Sequence, residues 1–294
     1  MDKPTFNAHT PDGELVTAAV AGSQKALTLL IKRHQDWIYN LAVNFTGNTA
    51  WAADLTQEVL IKLLTKLSSF RQESEFRTWM YRLVKNHFLN MKRGKYASDQ
   101  LSFEQFGAGL DQLPDAAVPR LENEVEEKLL VKEAKISCMK GMLLCLDREQ
   151  RMIFILGELF EFTDTVGSEI MEISKANFRV RLHRARQQLY NFMDGKCGLV
   201  NKQNACRCAR KTAAFVRMGY VDPVRRLFQQ NRISDIASAV QQKVDDFAGA
   251  VTEQYQQLYQ EHPFVSSPDQ VAFVKELMIS PAMRKTFDLG EEPQ

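Results

Sequence analysis

Residues 54–93 read DLTQEVLIKLLTKLSSFRQESEFRTWMYRLVKNHFLNMKR, and this stretch decides the fold of the first third of the chain. Four aliphatic residues recur in it at helical spacing, namely Leu55, Val59, Leu63 and Leu67. Such a row predicts a helix that buries one side. Asp54, Gln57 and Glu58 then point outward, so this side of the helix is open to a protein partner.

The second half of the stretch interleaves positive charge with aromatic rings. The basic residues in and just beyond it are Arg71, Arg77, Arg82, Lys85, Lys92, Arg93 and Lys95. The rings among them are Phe70, Phe76, Trp79, Tyr81 and Phe88. Basic groups neutralise phosphates and rings stack on unpaired bases, so the segment favours nucleic acid. The alternative is an amphipathic helix with solvated arginines, and we expect Trp79 to lie in the core.

A second amphipathic pattern is ISKANFRVRLHRARQQL, residues 173–189. Ser174 is a good N-cap, and one apolar stripe is made by Phe178, Leu182, Ala185 and Leu189. The remaining surface of the predicted helix carries Lys175, Ala176, Arg179, Val180, His183 and Arg184. Arginines can read guanine or hold phosphates, and small apolar groups can meet thymine methyls, so this surface suits a major groove. A plain amphipathic helix with surface arginines is the alternative.

The chain has 294 residues, a formal net charge of +2 and five cysteines. Because the net charge is almost zero, any nucleic-acid surface must lie in local patches. Long segments of period 3.6 predict an all-α fold. The sequence contains no phosphate-cradling glycine loop, HExxH or nucleophile elbow, so we expect no enzymatic activity. We expect a cytoplasmic location without membrane insertion, because no apolar run approaches ~18 residues and the first residues lack a signal-peptide pattern.

DLTQEV, the FR that begins at Phe70, FRTWMYRLVKN and the final MKR occur in order and at close spacing. Together they resemble domain two of the extracytoplasmic-function (ECF) sigma factors of bacterial RNA polymerase. The resemblance implies that Asp54, Gln57 and Glu58 dock on the clamp coiled coil of the core polymerase. It also implies a set that captures and helps melt the minus-ten promoter element: Phe70, Arg71, Arg77, Arg82, Lys85, Asn86, Lys92 and Arg93.

CLDREQRMIFIL (residues 145–156) followed by ISKANFRVRLHRARQQL is similar to domain four of the same family, a helix-turn-helix that binds the minus-thirty-five element. The resemblance implies DNA contacts on or next to the recognition helix by Lys175, Ala176, Arg179, Val180, His183 and Arg184. Two positions depart from the family. Glu172 stands where a turn glycine is usual, and Gly167 stands where an apolar residue is usual. Each departure costs about 1 kcal/mol, so we expect a distorted helix before the turn.

The two resemblances cover about residues 20–193 and predict a domain plan. Sigma domain two spans residues 14–95, a flexible linker spans 96–130, sigma domain four spans 131–193, and a cysteine-containing helical extension spans 194–294. Two weak DNA sites on one tether gain effective concentration at a promoter. The extension would fold back on the DNA-binding units, replace an anti-sigma partner or bind a separate regulator, and the sequence leaves these alternatives open.

Three cysteines crowd into KCGLVNKQNACRCARKT, residues 196–212. Cys197, Cys206 and Cys208 could supply three thiolates to zinc. The fourth ligand would then be one of His183, His262, Cys138 or Cys145. A thiol redox switch is a second alternative, because basic neighbours stabilise thiolates: Lys196, Arg207, Arg210 and Lys211. The third alternative is three reduced cysteines in a basic connector.

The sequence therefore predicts a sigma factor that needs no cofactor, binds core RNA polymerase and recognises promoter DNA through two elements. An anti-sigma or other regulator is a further expected partner. Two other classes stay open. One is an ordinary helix-turn-helix regulator, which would bind paired half-sites as a dimer without polymerase. The other is a metal- or redox-responsive interaction protein built on a sigma scaffold.

Overall fold

The computed structural model describes residues 6–7, 9–91, 101–121, 123–224, 267–268 and 270–279. Within these ranges the regular elements are helices, and the one β-type pairing is an isolated bridge between Cys197 and Cys206. The all-α prediction is confirmed. The chain divides into two compact units, one made of Met1–Val43, Thr49–Asn90 and Ser267–Gln294, the other of Asn44–Asn48 and Met91–Ser266.

The first unit is built mainly from four helices. Their bounds are α1 Asp12–Val20, α2 Gln24–Thr46, α3 Thr49–Lys66 and α4 Phe76–Leu89, with a 3₁₀ turn at Leu67–Ser69 after α3. The last three residues of α2 belong to the second unit. Leu30, Ile38, Leu55 and Phe88 are fully buried at the centre. All four residues of the predicted aliphatic row that begins at Leu55 are buried, which leaves the other side of α3 for polar groups.

The second unit contains the remaining helices up to residue 217. Their bounds are α5 Phe103–Gln112, α6 Glu124–Leu144, α7 Arg148–Phe154, α8 Asp164–Met171, α9 Lys175–Lys196 and α10 Cys208–Arg217. At the start of five of them, the side-chain oxygen of the N-cap residue accepts a hydrogen bond from a backbone N–H; these N-cap residues are Ser102, Asn123, Asp147, Thr163 and Ser174. Such caps stabilise helix starts by roughly 1 kcal/mol each, which is why these starts can be read from the sequence.

Part of the predicted linker is a docked helix, which corrects the expectation of a flexible tether across residues 96–130. Ser102 and Gln105 form a reciprocal capping box at the start of α5, with N···O distances of 3.0 and 2.9 Å. Phe106 of α5 packs against Gly141 of α6, where a Cβ atom would overlap the phenyl ring. Further along, the backbone N–H of Ala116 donates to the carbonyl of Arg210 at 3.0 Å. Residues 101–121 are therefore attached to their own unit.

The C-terminal extension contributes to each unit. In the second unit, Phe215 and Val221 join Leu130 and Ala134 of α6 in one buried cluster. In the first unit, the extension supplies helix α11, Gln270–Ile279. Just before α11, the backbone N–H and hydroxyl of Ser267 donate to Asp36 Oδ1 at 2.8 and 2.7 Å. The extension thus packs on α6 in the second unit and bonds to α2 in the first.

Candidate nucleic-acid interface

The polar side of α3 carries the three residues predicted to meet the polymerase. Asp54 is exposed, while Gln57 and Glu58 are half-buried. Glu58 Oε2 lies 3.4 Å from His87 Nε2 of α4, and Lys62 Nζ lies 2.7 Å from His87 Nδ1. His87 therefore joins α3 to α4 through two neighbours. Asp54 is the acidic group of the predicted set that is open to a partner.

Phe70 and Trp79 form an aromatic corner between the 3₁₀ turn and α4. Their ring centroids lie 5.5 Å apart, and the ring of Phe76 lies 5.4 Å from Phe70 and 5.7 Å from Trp79. Phe76 is buried, whereas Phe70 and Trp79 are half-buried. The expectation that Trp79 lies in the core is therefore wrong in part, because one side of the indole reaches the surface. This corner can offer ring surface to an unpaired base.

The cationic and amide side chains predicted for the minus-ten element differ in accessibility. Arg71 and Asn86 are exposed, and Arg82 is half-buried. Lys85 is only 4% exposed, so the prediction that it meets a phosphate is corrected. It follows the buried Val84 on α4 and points into the unit instead of outward. Lys92 and Arg93 lie outside the described residues.

Asp12 at the start of α1 holds Arg77 in an ion pair. Its Oδ2 lies 3.1 Å from His34 Nε2 and 3.3 Å from Arg77 Nε, and its Oδ1 accepts a hydrogen bond from Arg33. Burial alone would raise the pKa of Asp12, but the hydrogen bonds and charges of His34 and Arg33 outweigh it and lower the pKa well below the usual range. Burial lowers the pKa of His34, and the hydrogen bond and charge of Asp12 offset only part of that effect. Arg77 is therefore already paired with a carboxylate before any DNA arrives.

Helices α8 and α9 form the predicted helix-turn-helix. Glu172 ends α8 in the left-handed conformation, with φ 58° and ψ 42°, and Ser174 Oγ accepts from the Asn177 N–H at 3.2 Å to start α9. The predicted stripe is buried along α9, as expected: Phe178, Leu182, Ala185 and Leu189. The recognition helix is thus fixed on its unit by one side and leaves the other side open.

The two departures at Gly167 and Glu172 leave α8 regular, which corrects the expected distortion. A Cβ atom at Gly167 would collide with the phenyl ring of Phe178, so the glycine lets α8 approach α9 closely. The irregular segment lies earlier, where Ile155–Leu159 forms a π-helical turn. There the N–H of Phe160 donates to the carbonyl of Ile155 at 3.0 Å. Such turns are rare and often mark functional regions.

The exposed side of α9 holds the predicted promoter contacts. Six residues lie on it, all exposed: Lys175, Ala176, Arg179, Val180, His183 and Arg184. Arg179 is ion-paired with Asp164 of α8, although its side chain is still 68% exposed. Arg184 has no hydrogen-bond or ion-pair partner among the described residues. Val180 is 48% exposed, which leaves its methyl groups available to contact a thymine methyl group.

Several arginines near this surface serve the fold, which the sequence reasoning did not distinguish. Arg151 of α7 is buried and donates to the carbonyls of Leu143, Leu144 and Leu146 at 2.9, 2.8 and 3.0 Å. It satisfies the carbonyls at the end of α6. Arg186 of α9 is ion-paired with a carboxylate of the preceding π-helical turn, Glu158, which is 2% exposed. The sequence shows a glutamate at position 158 but not how deeply it is buried, so this ion pair could not be predicted from the sequence.

The extension places its three cysteines beside a fourth, Cys138 of α6. None of the described cysteines is in a disulfide. Burial first, and then the neighbouring thiols, raise the pKa of Cys138 well above its ordinary value and that of Cys208 to about 12. Burial also raises the pKa of Cys206. These directions oppose the redox alternative, because reactive thiols have lowered pKa values. Among the described residues, no group of three or more Cys, His, Asp or Glu side chains is placed so that it could hold a metal ion.

Comparison with known families matches the chain in two places. Residues 30–97 match the model of sigma-70 region 2, and residues 136–189 match the model of sigma-70, region 4. The first match contains α3 and α4, and the second contains the helix-turn-helix. Residues after 189 lie outside both matches.

The chain is also similar to characterised proteins over about the same part. It is 28% identical over 180 residues to the ECF RNA polymerase sigma factor SigW of Bacillus subtilis (strain 168), covering 57% of this chain and 89% of that protein. It is 29% identical over 186 residues to the ECF RNA polymerase sigma-E factor of Escherichia coli (strain K12), covering 61% and 93%. A solved structure of CnrH in complex with the cytosolic domain of CnrY matches with 19% identity and a TM-score of 0.45, covering 64% of this chain and 99% of that one.

The region 2 match lies mainly in the first unit and the region 4 match follows it in the second. Together they define a class of protein, the promoter-recognising initiation factors of the sigma-70 type. Within that class, the chain belongs to the extracytoplasmic-function sigma factors. Across the described ranges, no helix has both the length and the hydropathy that crossing a bilayer requires.

Proposed function

We propose that this sigma factor binds the core polymerase through α3 and holds a promoter at two elements, through α4 and α9. The observation that carries the proposal is the exposed side of α9. There a helix-turn-helix presents Arg184 without a partner among the described residues, and no acidic residue interrupts residues 175–186. A surface of this kind suits the major groove of a duplex.

For polymerase docking we propose Asp54 as the principal contact, with Gln57 beside it. Asp54 is exposed on the side of α3 that faces away from the buried aliphatic row. Glu58 contributes less, since its carboxylate lies next to His87. Electrostatic contacts of this type govern the association rate and the choice of partner.

For the minus-ten element we propose Phe70, Arg71, Arg82 and Asn86 as contacts, with Arg77 joining after it leaves Asp12. The half-buried aromatic corner of Phe70 and Trp79 supplies ring surface, and Arg71 supplies an exposed charge near it. Stacking on a ring contributes about 1–3 kcal/mol per base and tolerates any base. We therefore assign this corner to the opened strand and α9 to the duplex upstream.

We further propose that the chain acts in the cytoplasm as a non-enzymatic factor, and that an anti-sigma or other regulatory protein controls it. The proposal follows from the family, whose members direct a polymerase that does the chemistry. It also fits the exposed Asp54 surface, because a regulator that covers α3 would compete directly with the polymerase.

The direct test is initiation in a purified system. Core polymerase, this protein and a supercoiled template bearing a candidate promoter should give a defined transcript, whereas core polymerase alone should not. The variant Asp54→Lys should need a higher protein concentration for the same yield, because reversed charge weakens docking. The matched control is Asp194→Lys, an exposed aspartate near the end of α9. If both variants behave as the natural protein does, the assignment of the docking surface fails.

A further inference from the structure

The C-terminal extension binds part of the segment that joins the two sigma domains. Helix α10 belongs to the extension, residues 101–121 belong to the predicted linker, and both lie in the second unit. The backbone N–H of Ala116 donates to the carbonyl of Arg210 on α10 at 3.0 Å, which joins the two main chains directly. The linker therefore has a binding site within its own chain.

A buried lysine of α10 is the main polar anchor of this site. Lys211 is only 8% exposed, and its Nζ donates to the carbonyl of Leu113 at 2.5 Å and lies 3.0 Å from Asp115 Oδ1. Arg210 Nη1 lies 3.5 Å from the other carboxylate oxygen of Asp115. Burial of an ammonium group is costly unless it is paired and hydrogen-bonded. The linker thus supplies acceptors that Lys211 would lose if the linker left.

Apolar contacts add to these polar ones. Leu110 of α5 is buried in one cluster with Phe215 of α10 and with Val221 a few residues beyond it. Three partly buried residues that follow α5 pack against this cluster: Leu113, Val118 and Leu121. Burial of apolar side chains is favourable roughly in proportion to the area removed from water. Residues 110–121 are therefore held by both apolar and polar contacts.

Helix α5 depends on tertiary contacts, because alone it would be a weak helix. It has ten residues, and Gly107 and Gly109 are two of them. Isolated helices of this length are marginal in water, and each interior glycine weakens them further. The ring centroids of Phe103 and Phe106 lie 5.3 and 5.8 Å from that of Phe192 on α9. Loss of the contacts that follow α5 should therefore loosen α5 as well.

The docked linker has a shorter reach than the same residues would have when free. Fully extended, residues 101–121 would span about 70 Å, whereas the ten residues of α5 rise only about 15 Å as a helix. The minus-ten and minus-thirty-five elements are about 25 base pairs apart by their names, or about 85 Å along B-form DNA. A tether that cannot span its two sites gives almost no effective concentration. Release of the linker therefore favours occupation of both elements at once.

We propose that α10 is a docking site for the chain's own linker and restrains it until the sigma factor engages core polymerase and promoter. The occupant is residues 110–121, whose Asp115 carboxylate lies against two basic side chains of α10 and whose apolar side chains pack on its buried cluster. The restraint lowers the activity of the free protein, because docking contacts must break before both promoter elements are bound together. This consequence rests on the proposed function, whereas the docking contact does not.

Hydrogen exchange of the full chain tests the docking contact. Asp115→Lys reverses a charge that faces Arg210 and Lys211, so amide exchange in peptides within residues 110–121 should accelerate. Val118→Ser removes an apolar contact instead and should act in the same direction. The matched control is Asp194→Lys, the same charge change at an exposed position outside the linker and α10. Circular dichroism of each variant checks its helices. Exchange that stays at the natural rate in both linker variants would overturn the proposal.

Initiation in the purified system tests the consequence. On a promoter with both elements, Asp115→Lys and Val118→Ser should reach half of the maximal transcript yield at a several-fold lower protein concentration than the natural chain, whereas Asp194→Lys should match the natural chain. Linker variants with faster exchange but an unchanged or higher half-maximal concentration would overturn the proposed restraint. No transcript from any of the four proteins would instead overturn the proposed function, and the exchange rates would still show whether α10 holds the linker.

Discussion

Arg179 and Arg184 project from the same exposed side of α9 but differ in what they already contact. Arg179 is paired with Asp164, so a DNA contact must first replace that ion pair. Arg184 has no such partner in the described part of the chain. The difference matters because a surface ion pair costs little to break, yet the broken pair offsets part of any new contact.

We expect Arg184→Ala to change the preference for one upstream base pair by ~1–3 kcal/mol if the arginine holds a guanine by two hydrogen bonds. Arg179→Ala should have the smaller effect. The measurement is binding of the polymerase holoenzyme to a promoter series mutated at each upstream position. A uniform loss at every position would instead assign Arg184 to a phosphate, and no loss would remove it from the interface.

Asp12 illustrates how a single carboxylate orders the first unit. It accepts hydrogen bonds from two cationic side chains and lies beside the buried His34. Since a hydrogen bond to a charged group contributes about 1.5–3 kcal/mol, Asp12→Asn should lower the free energy of unfolding by that order. Thermal or urea denaturation of both proteins at neutral pH measures the difference.

The same site predicts an acid dependence. The pKa of Asp12 is lowered on folding, so its contribution is present above the unfolded pKa near 4 and is lost as the pH falls toward the folded pKa. The pKa of His34 is lowered too, so the unfolded chain gains its proton first and stability declines as the pH falls below about 6.5. The difference between natural protein and Asp12→Asn should therefore shrink at strongly acid pH. A gap that widens on acidification would contradict this account.

At the scale of the element, the helix-turn-helix was largely predictable and its neighbours were not. Ser174 and the stripe from Phe178 to Leu189 are local signals, and they gave the start and buried side of α9 correctly. Helix α5 was missed although Ser102 and Gln105 form a capping box at its start, because its ten residues include two glycines and the packing of Phe106 on Gly141 is not local in sequence. The burial of Lys85 could not be predicted either. Hydrophobic periodicity shows on which side of a helix a residue lies, but not how much of the rest of the chain covers that side.

Substitution of Glu172 measures the conformational cost of the turn between α8 and α9. A glutamate in the left-handed region costs roughly 1 kcal/mol that a glycine avoids, so Glu172→Gly should raise the free energy of unfolding of this unit by about that amount. Glu169→Gly is the matched control, because it puts a glycine inside α8 and should lower stability by about 1 kcal/mol. Denaturant titration with a probe in the second unit compares the two. Equal destabilisation by both changes would show that the turn strain is not relieved.

For the whole molecule, the extension is part of the architecture rather than an appendage. Phe215 of α10 packs on α6, and α11 lies in the first unit beside Ser267 and Asp36. The sequence indicated helices in residues 194–294 but not the surfaces on which they pack, because an apolar helix face does not show which other apolar face it will contact. Residues 225–266, where further helices were expected, lie outside the described residues.

Two truncations separate the roles of the extension. Ending the chain at Met193 removes α10 and exposes its contact on α6, so amide hydrogen exchange across α6 should accelerate. Ending it at Val224 keeps α10 and should leave exchange in α6 unchanged. Mass-spectrometric exchange on peptides within residues 124–144 reports this directly. Equal protection in both truncated chains would show that α10 does not brace α6.

The central claim is that one chain lets core polymerase find promoters through two separate surfaces. It is tested most directly by transcribing a genomic fragment library with purified core polymerase, with and without this protein, and mapping every new start. We predict new starts that share a two-part upstream motif, whose upstream half changes with Arg184→Ala while its downstream half does not. An absence of new starts with the natural protein, or starts that share no common motif, would contradict the account.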